Sequence, residues 1–453
     1  MDQEQFTYTQ FSLSDDRKTV TFEFRLQHDS KEYIFHESLT FPVELKDTPE
    51  QLRTLQALHI GLGVSYYKTF LPPHIIHPYA MDGAEATFWN TTWRNGLGEF
   101  LYVNKLSHDR IAQFTAQDGK HFTGTTTTTV NGALLGIGGG KDSIVAGELL
   151  KDISVPISGF VMATGEQLGQ AGDVARTMQI PLYAVQRQLD LQVSELGKYP
   201  GAYRGHIPIS LIFALVGTAL AVATDSAYVV VANEASASIP HTMWNDEAIN
   251  HQWSKSFEAE QAIQHYIQQK IDARITYFSA IRQLTSIAVA RLFCRLPQYF
   301  EVFTSDNSVF RIDPARRPSG RWGLESPKSL SSYVLLAPWL SDEDVDRIFT
   351  IKFLDEQSLE QLFLEMTGTE GHPPLDCVGT PEELSLSVNL LAKQGRYHET
   401  HLMRLAVERH VIHDEDWQRN LQKLLELQPD EVLPAALHSS ITNYLRERID
   451  HEV

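Results

Sequence analysis

Leu134-Leu135-Gly136-Ile137-Gly138-Gly139-Gly140-Lys141-Asp142-Ser143, followed by Ile144-Val145-Ala146-Gly147-Glu148-Leu149-Leu150, decides the fold. It reads as a buried strand, a glycine loop and an amphipathic helix. In that order the loop N–H groups and the positive end of the helix dipole converge on one spot, where a phosphate fits. The chain then continues as alternating strands and helices. Val155 to Met162, Ile180 to Val185 and Ala227 to Ala232 read as strands, with helices at Gly169 to Gln179 and Pro208 to Ala223 between them. Strands apolar on both faces and separated by helices predict a parallel sheet covered on both sides. Ligands in such sheets sit beyond the carboxyl ends of the strands, here Gly138, Ala163-Thr164-Gly165, Gln186-Arg187 and Asn233-Glu234.

Upstream, Thr19-Val20-Thr21-Phe22-Glu23-Phe24-Arg25-Leu26 alternates polar and apolar positions, as expected of a meander of half-exposed antiparallel strands over residues 6 to 45. Pro49 opens a helix to about Leu62, Asp82 to Glu99 reads as another, and a hairpin is expected around Asp118-Gly119 between Ile111 to Phe114 and His121 to Thr123. The threonine run from Thr125 reads as a strand or strand-edge loop. Downstream, Ser256 to Phe278, Leu284 to Leu292 and Asp342 to Thr367 read as helices, with more after Pro381 and an irregular Pro-, Gly- and Ser-rich segment from Asp313 to Ser332. Three regions follow: an N-terminal meander with helices (1–125), an α/β core (126–300) and a mainly helical C-terminal region (301–453).

The 453 residues suffice for a substantial core. A net charge of −19, with no lysine or arginine run, disfavours nonspecific binding of nucleic acid. Two cysteines, Cys294 and Cys377, supply neither a disulfide framework nor a four-cysteine zinc site, which suits a reducing cytoplasm. The polar, acidic N-terminus lacks a signal-peptide layout, and the apolar run from Ile207 to Ala223 is short and contains Ser210, Gly217 and Thr218, so a buried helix is expected rather than a membrane span.

Two common glycine-loop templates fail. A Walker loop requires glycine where Leu135 stands and Ser or Thr where Asp142 stands; a dinucleotide fingerprint starting at Gly136 requires glycine at Lys141. The loop instead resembles that of the ATP-pyrophosphatases, Ser-Gly-Gly-X-Asp-Ser, with Gly138 replacing the leading serine. The resemblance implies an adenine-nucleotide-hydrolase-like parallel-sheet core. Gly138, Gly139, Gly140, Lys141, Asp142 and Ser143 would then hold the phosphates of ATP, and Asp142 would hold Mg²⁺.

Further segments narrow the family. Ser65-Tyr66-Tyr67-Lys68, Gly205-His206-Ile207-Pro208, Asn233-Glu234-Ala235-Ser236-Ala237-Ser238, Asn250-His251-Gln252-Trp253-Ser254-Lys255-Ser256 and Asp376-Cys377-Val378-Gly379 occur in an order that resembles the UDP-N-acetylmuramoyl-L-alanyl-L-glutamate epimerases of peptidoglycan synthesis. The resemblance implies an ATP- and Mg²⁺-dependent isomerase that inverts the terminal L-glutamate of UDP-MurNAc-L-Ala-L-Glu through an acyl-adenylate, releasing AMP and pyrophosphate. It implies catalytic roles among His251, Lys255, Glu234, Cys377 and Lys68, and substrate contacts from Asn233, Asn250, Ser254, His206 and Tyr67. Which group moves the proton on each face of Cα stays open among His251, Lys68, His206 and Cys377; taken alone, Cys377 reads as a small buried side chain, and His251 reads equally as a helix-cap or core hydrogen-bonding histidine and as a proton carrier. Oligomeric state is not legible. Another ATP-pyrophosphatase reaction, such as amide ligation or nucleobase or tRNA modification, and a nucleotide-binding protein without turnover are the competing readings.

One departure stands out. The family's segment before its late helix usually reads like Trp-Cys-Gly-X-Cys-X-Lys-Cys, whereas this chain has Trp322-Gly323-Leu324-Glu325-Ser326-Pro327-Lys328-Ser329, and Asp306 stands where a cysteine is common. If those cysteines bind a metal in relatives, that site is missing here, since serine is a poor zinc ligand.

Overall fold

The computed structural model describes residues 4–117, 129–163, 166–310, 317–412 and 416–450. Eight strands of the main sheet come first along the chain: β1 (Gln5–Leu13), β2 (Thr19–His28), β3 (Lys31–Thr40), β4 (His74–Ile76), β5 (Ala133–Gly136), β6 (Ile157–Ala163), β7 (Leu182–Gln188) and β8 (Tyr228–Val231). A small hairpin, β9 (Thr242–Trp244) and β10 (Glu247–Ile249), precedes β11 (Thr276–Ser279). Among the described residues, one nine-stranded sheet runs β11-β8-β5-β6-β7-β3-β2-β1-β4. The five strands from β11 to β7 are mutually parallel, and β3 joins them antiparallel through Leu39 opposite Arg187.

The N-terminal meander is therefore not a sheet of its own. It extends the parallel half, and the seam is held by a buried ion pair: Arg187 Nε lies 2.6 Å from Glu37 Oε1, and Tyr66 donates to Glu37 Oε2 at 2.8 Å. Burial pushes the Glu37 carboxyl up while Arg187 opposes it.

Successive residues of a strand point to opposite faces, and here both faces are covered. Leu134, Phe160, Met162, Val185, Val229 and Tyr277 share a core with the helices Pro49–Tyr67 and Ile209–Thr224. Leu135, Val161, Ala163, Val230 and Phe278 share the other with Lys141–Asp152, Ser286–Phe293 and the C-terminal helices. Each such side chain contributes about 1.5–3 kcal/mol by burial, and a one-residue slip would exchange the two sets. The apolar helix Ile209–Thr224 is thus core; among the described residues no helix is long and apolar enough to cross a membrane.

Several sequence expectations need correction. The helix read from Ser256 to Phe278 stops at Tyr266; a π-helical turn (Ile267–Ile271) follows, and then β11. Asp342 to Thr367 is not one helix but Asp342–Ile348 and Glu360–Met366 with 3-10 turns between. The segment read as irregular contains the start of a helix, Pro327–Leu336. Ile111 to Phe114 forms no strand, although Gln117 bridges Met81. The hairpin tip at 118–119, its second arm at 121–123, threonines 125–128, residues 164–165 at the end of β6, and 313–316 lie outside the described residues.

Position in the sheet decides where a site forms. Counting β5 as the first strand of the parallel half, the chain moves outward to β6 and β7 and then returns to place β8 and β11 on the other side. The loops after β5 and β8 therefore diverge and leave a crevice at the carboxyl ends of these strands.

Candidate active site

A cavity of about 560 Å³ occupies that crevice. Its floor is the glycine loop. Gly140 caps the helix Lys141–Asp152 with no side chain bonding the first amides, and Ser143 Oγ donates to the Gly140 carbonyl at 3.0 Å. Gly139 has φ +88°, and a Cβ there would stand 2.6 Å from Gln170 Cγ; its carbonyl accepts from Thr304 N at 3.1 Å. Gly138 differs: it is exposed, and a Cβ would meet nothing within 4 Å, so its bare backbone faces the open cavity. Ser305 Oγ, buried beside Gly140, has no hydrogen-bond partner among the described residues. An unsatisfied hydroxyl, uncapped helix amides and an open glycine are the donors a phosphate requires. Lys141 pairs with Asp142; burial works against its charge, but Asp142, Glu234 and Glu383 hold it above the usual lysine range.

The other end is built from loops that follow β8 and from the C-terminal region. Asn250 Nδ2 donates to the Ala237 carbonyl at 2.9 Å while its Oδ1 accepts from Gln252 N at 2.9 Å, which shapes the turn carrying His251 and Lys255. Arg282, almost wholly buried, donates to the carbonyls of Glu234 at 2.8 Å and Lys255 at 2.7 Å and pairs with buried Glu260. One guanidinium thus ties the β8 loop to the Lys255 turn. Lys255 Nζ lies 3.2 Å from Cys377 Sγ. The loop carrying Cys377 is held by His241 Nε2 on the Asp376 carbonyl at 3.0 Å and by Gly379 N donating to Ser331 Oγ at 3.1 Å.

Charge at this end is strongly perturbed. Burial pushes the Cys377 thiol up, but Lys255, Lys328 and His251 outweigh it and bring it down to about 6. His251 is opposed by burial yet raised to about 9 by Cys377 and Glu99. Cys377 and His251 therefore form a thiolate–imidazolium pair at neutral pH. Burial, reinforced by the charge of His251, takes His206 down to about 4, so it is neutral. Glu99 connects the two imidazoles: it bonds His251 Nδ1 and lies 3.4 Å from His206 Nδ1, with the rings 4.6 Å apart.

Two overlapping triplets, Glu99–His206–His251 and His251–Asp376–Cys377, hold their ligand atoms within 4.8 Å of one another. At Cys377 the ammonium of Lys255 already supplies the positive charge a metal would bring, which favours a thiolate poised for proton transfer. Asp142 and Glu234 line the cavity nearer the loop and are the carboxylates available to a divalent cation there.

Of the residues singled out in the sequence, Gly138, Gly140, Lys141, Asp142, Ser143, His206, Asn233, Glu234, His251, Ser254, Lys255 and Cys377 line the cavity. Asn250 acts behind it, as above. Tyr67 is buried, with its hydroxyl bonded by Ala112 N at 2.7 Å, and Lys68 is bonded to the Gly205 carbonyl; neither lines the cavity. Burial lowers Lys68 to about 8. Glu99, Arg282 and Lys328 were missed. Ser326-Pro327, a cap residue followed by proline at the first helical position, is the signal that would have placed Lys328 on a helix.

The departure at Asp306 has a structural counterpart. Its buried carboxylate accepts from Ser308 N, Ser308 Oγ, Gly323 N and Ser326 Oγ, each at 2.7 Å, and from Ser329 Oγ at 3.0 Å. The four positions where the family pattern has cysteine, Asp306, Gly323, Ser326 and Ser329, thus converge as a hydrogen-bonded staple.

Comparison with known proteins places most of the chain. The family model described as the MurL N-terminal domain matches residues 1–280, and that described as the MurL C-terminal domain matches residues 302–422. Three curated relatives carry the name UDP-N-acetyl-alpha-D-muramoyl-L-alanyl-L-glutamate epimerase. That from a Micromonospora species is 31% identical over 89% of this chain and 90% of the relative. Those from Salinispora tropica and Xanthomonas oryzae pv. oryzae are 30% identical over 89% of the chain and 88% of the relative, and 31% identical over 85% and 84%. No solved structure matches the chain.

Proposed function

The chain belongs to the MurL family, and we propose from that premise that it is an ATP-dependent epimerase of the terminal glutamate of UDP-MurNAc-L-Ala-L-Glu, serving peptidoglycan precursor synthesis in the cytoplasm. One observation carries the mechanistic reading: a single cavity is lined both by a phosphate-type glycine loop and by a cysteine whose sulfur lies beside a lysine.

Residues 126–300 form the nucleotide-binding core in this reading, with the glycine loop acting as a pyrophosphatase-type loop. Gly138 to Ser143 and Ser305 hold the phosphates of the co-substrate ATP, and Mg²⁺ on Asp142, with Glu234 as second carboxylate, would neutralise phosphate charge. Activation precedes proton removal for an electrostatic reason. Deprotonating Cα beside a free carboxylate places a second negative charge on the same atoms, whereas the acyl-adenylate is a neutral acyl group that spreads the carbanion as an enolate. The carboxylate oxygen attacks the α-phosphorus and pyrophosphate leaves; after inversion, water attacks the acyl carbon and AMP leaves.

Inversion requires a proton carrier on each face. We assign Cys377 and His206. Both lack the proton at neutral pH, and His251 between them holds one. That proton passes to one carrier while the other removes hydrogen from Cα, and Glu99 links the two histidines so that the carriers reset each turnover. Lys255 keeps the sulfur anionic and, at the same cavity end, stabilises the enolate oxygen.

Turnover in deuterium oxide tests this. The wild type is expected to place solvent deuterium on Cα of the inverted product. Cys377→Ala and His206→Asn, each unable to invert, are expected to exchange the α-hydrogen of only one epimer each, and of opposite epimers. Exchange of both epimers by either variant removes that residue from its role.

A further inference from the structure

Three lysines, Lys141, Lys255 and Lys328, line the cavity of a chain whose net charge is −19. The first pairs with Asp142 and the second with Cys377. Lys328 has neither a hydrogen bond nor an ion pair to any described residue. It stands in the first turn of the helix Pro327–Leu336, where the helix dipole disfavours a cation. Its face of the helix is the cavity face: Lys328, Ser331, Ser332 and Leu335, at i, i+3, i+4 and i+7, all line the cavity.

Ser332 is only 3% exposed, yet its hydroxyl has no partner among the described residues. An unpartnered hydroxyl that opens onto the cavity, one turn from an ammonium without an ion pair that lines the same cavity, is a built anion subsite. The start of the helix is fixed in turn by Asp306, through the hydroxyls of Ser326 and Ser329, so the lysine is pre-positioned.

We propose that Lys328 and Ser332 bind the side-chain carboxylate of the substrate's terminal glutamate; the assignment rests on the functional reading above. Three anions compete for such a site. The ATP phosphates have the glycine loop and its own lysine. The diphosphate of the uridine nucleotide is separated from the reacting carbon by the alanine and the muramoyl group, whereas the charge of Lys328 acts on the Cys377 sulfur, beside that carbon. The α-carboxylate loses its charge on activation. The side-chain carboxylate stays charged throughout and lies two methylenes from Cα. A cation that meets the same charge in ground and transition states gives uniform binding, so at about pH 8, where Cys377 stays a thiolate even without the help of Lys328, its removal raises KM and spares kcat.

The test, run at about pH 8 so that Cys377 stays a thiolate in every variant, compares UDP-MurNAc-L-Ala-L-Glu with the analogue ending in L-glutamine, for wild type, Lys328→Met and Ser332→Ala. Wild type is expected to prefer glutamate by about 100-fold in kcat/KM. Lys328→Met should raise KM for the glutamate substrate about 10- to 100-fold, leave kcat within about threefold, and reduce the preference below about tenfold, with Ser332→Ala intermediate. An active Lys328→Met protein that keeps the preference, or loses kcat at unchanged KM, overturns the subsite alone. Wild type that inverts neither substrate overturns the functional reading, and the subsite with it.

Discussion

Lys255→Met isolates the electrostatics at the centre of the site. Two unit charges at the observed Nζ–Sγ separation of 3.2 Å interact by about 5 kcal/mol at an effective dielectric constant of about 20. The pair borders an open cavity, so solvent screening reduces this to about 1.5–2.5 kcal/mol, equivalent to about one to two pKa units. Because the ammonium favours the thiolate, removing it must raise the thiol, from about 6 to between about 7 and 8. Alkylation by iodoacetamide as a function of pH, read at Cys377 by mass spectrometry, measures the shift. The second cysteine does not interfere, because burial pushes Cys294 far up and its sulfur rests against the Leu336 carbonyl. An unchanged midpoint in Lys255→Met would refute the claim that this lysine sets the state of the sulfur.

Activity should follow a bell-shaped pH profile. Below about 6 Cys377 gains a proton and the thiolate is lost; above about 9 His251 loses the proton it stores, so kcat should fall on both sides, and a flat profile through pH 6 would contradict the role of the sulfur. Neighbouring glycines should behave oppositely. Gly138→Ala should leave the melting temperature unchanged and weaken ATP binding, whereas Gly139→Ala, at φ +88° against Gln170, should cost about 1–3 kcal/mol of stability by chemical denaturation. Arg282→Met leaves Glu260 buried without its partner and should cost about 3–5 kcal/mol, much of it recovered in the double variant with Glu260→Gln.

The parallel strands and the phosphate loop were legible because they are local: β-branched runs, glycines and a helix start lie within twenty residues of one another. β11 was missed because Ile263, Ile267, Ile271 and Ile275 continue a helical spacing, and only the break near Asp272 divides the helix from the strand. The seam between β3 and β7 has no sequence signature, since nothing local to Glu37 announces Arg187. Glu99 was invisible for the same reason: its partners lie more than a hundred residues away, and in sequence it is one more acid at a helix end. Lys328 was lost among prolines, glycines and serines that read as irregular, although Ser326-Pro327 marks a helix start. The cysteine at 377 was singled out by resemblance; its charge state depends on Lys255, Lys328 and His251 meeting it in space, which no local pattern encodes.

The central claim is that one cavity couples ATP cleavage to inversion of a glutamate stereocentre. It is tested most directly by incubating the protein with ATP, Mg²⁺ and UDP-MurNAc-L-Ala-L-Glu, hydrolysing the product, and resolving the glutamate enantiomers while AMP and pyrophosphate are measured in the same samples. The account predicts D-glutamate accompanied by at least an equal amount of AMP, with neither formed when ATP is omitted. AMP release with no D-glutamate, or D-glutamate formed without ATP, would contradict it.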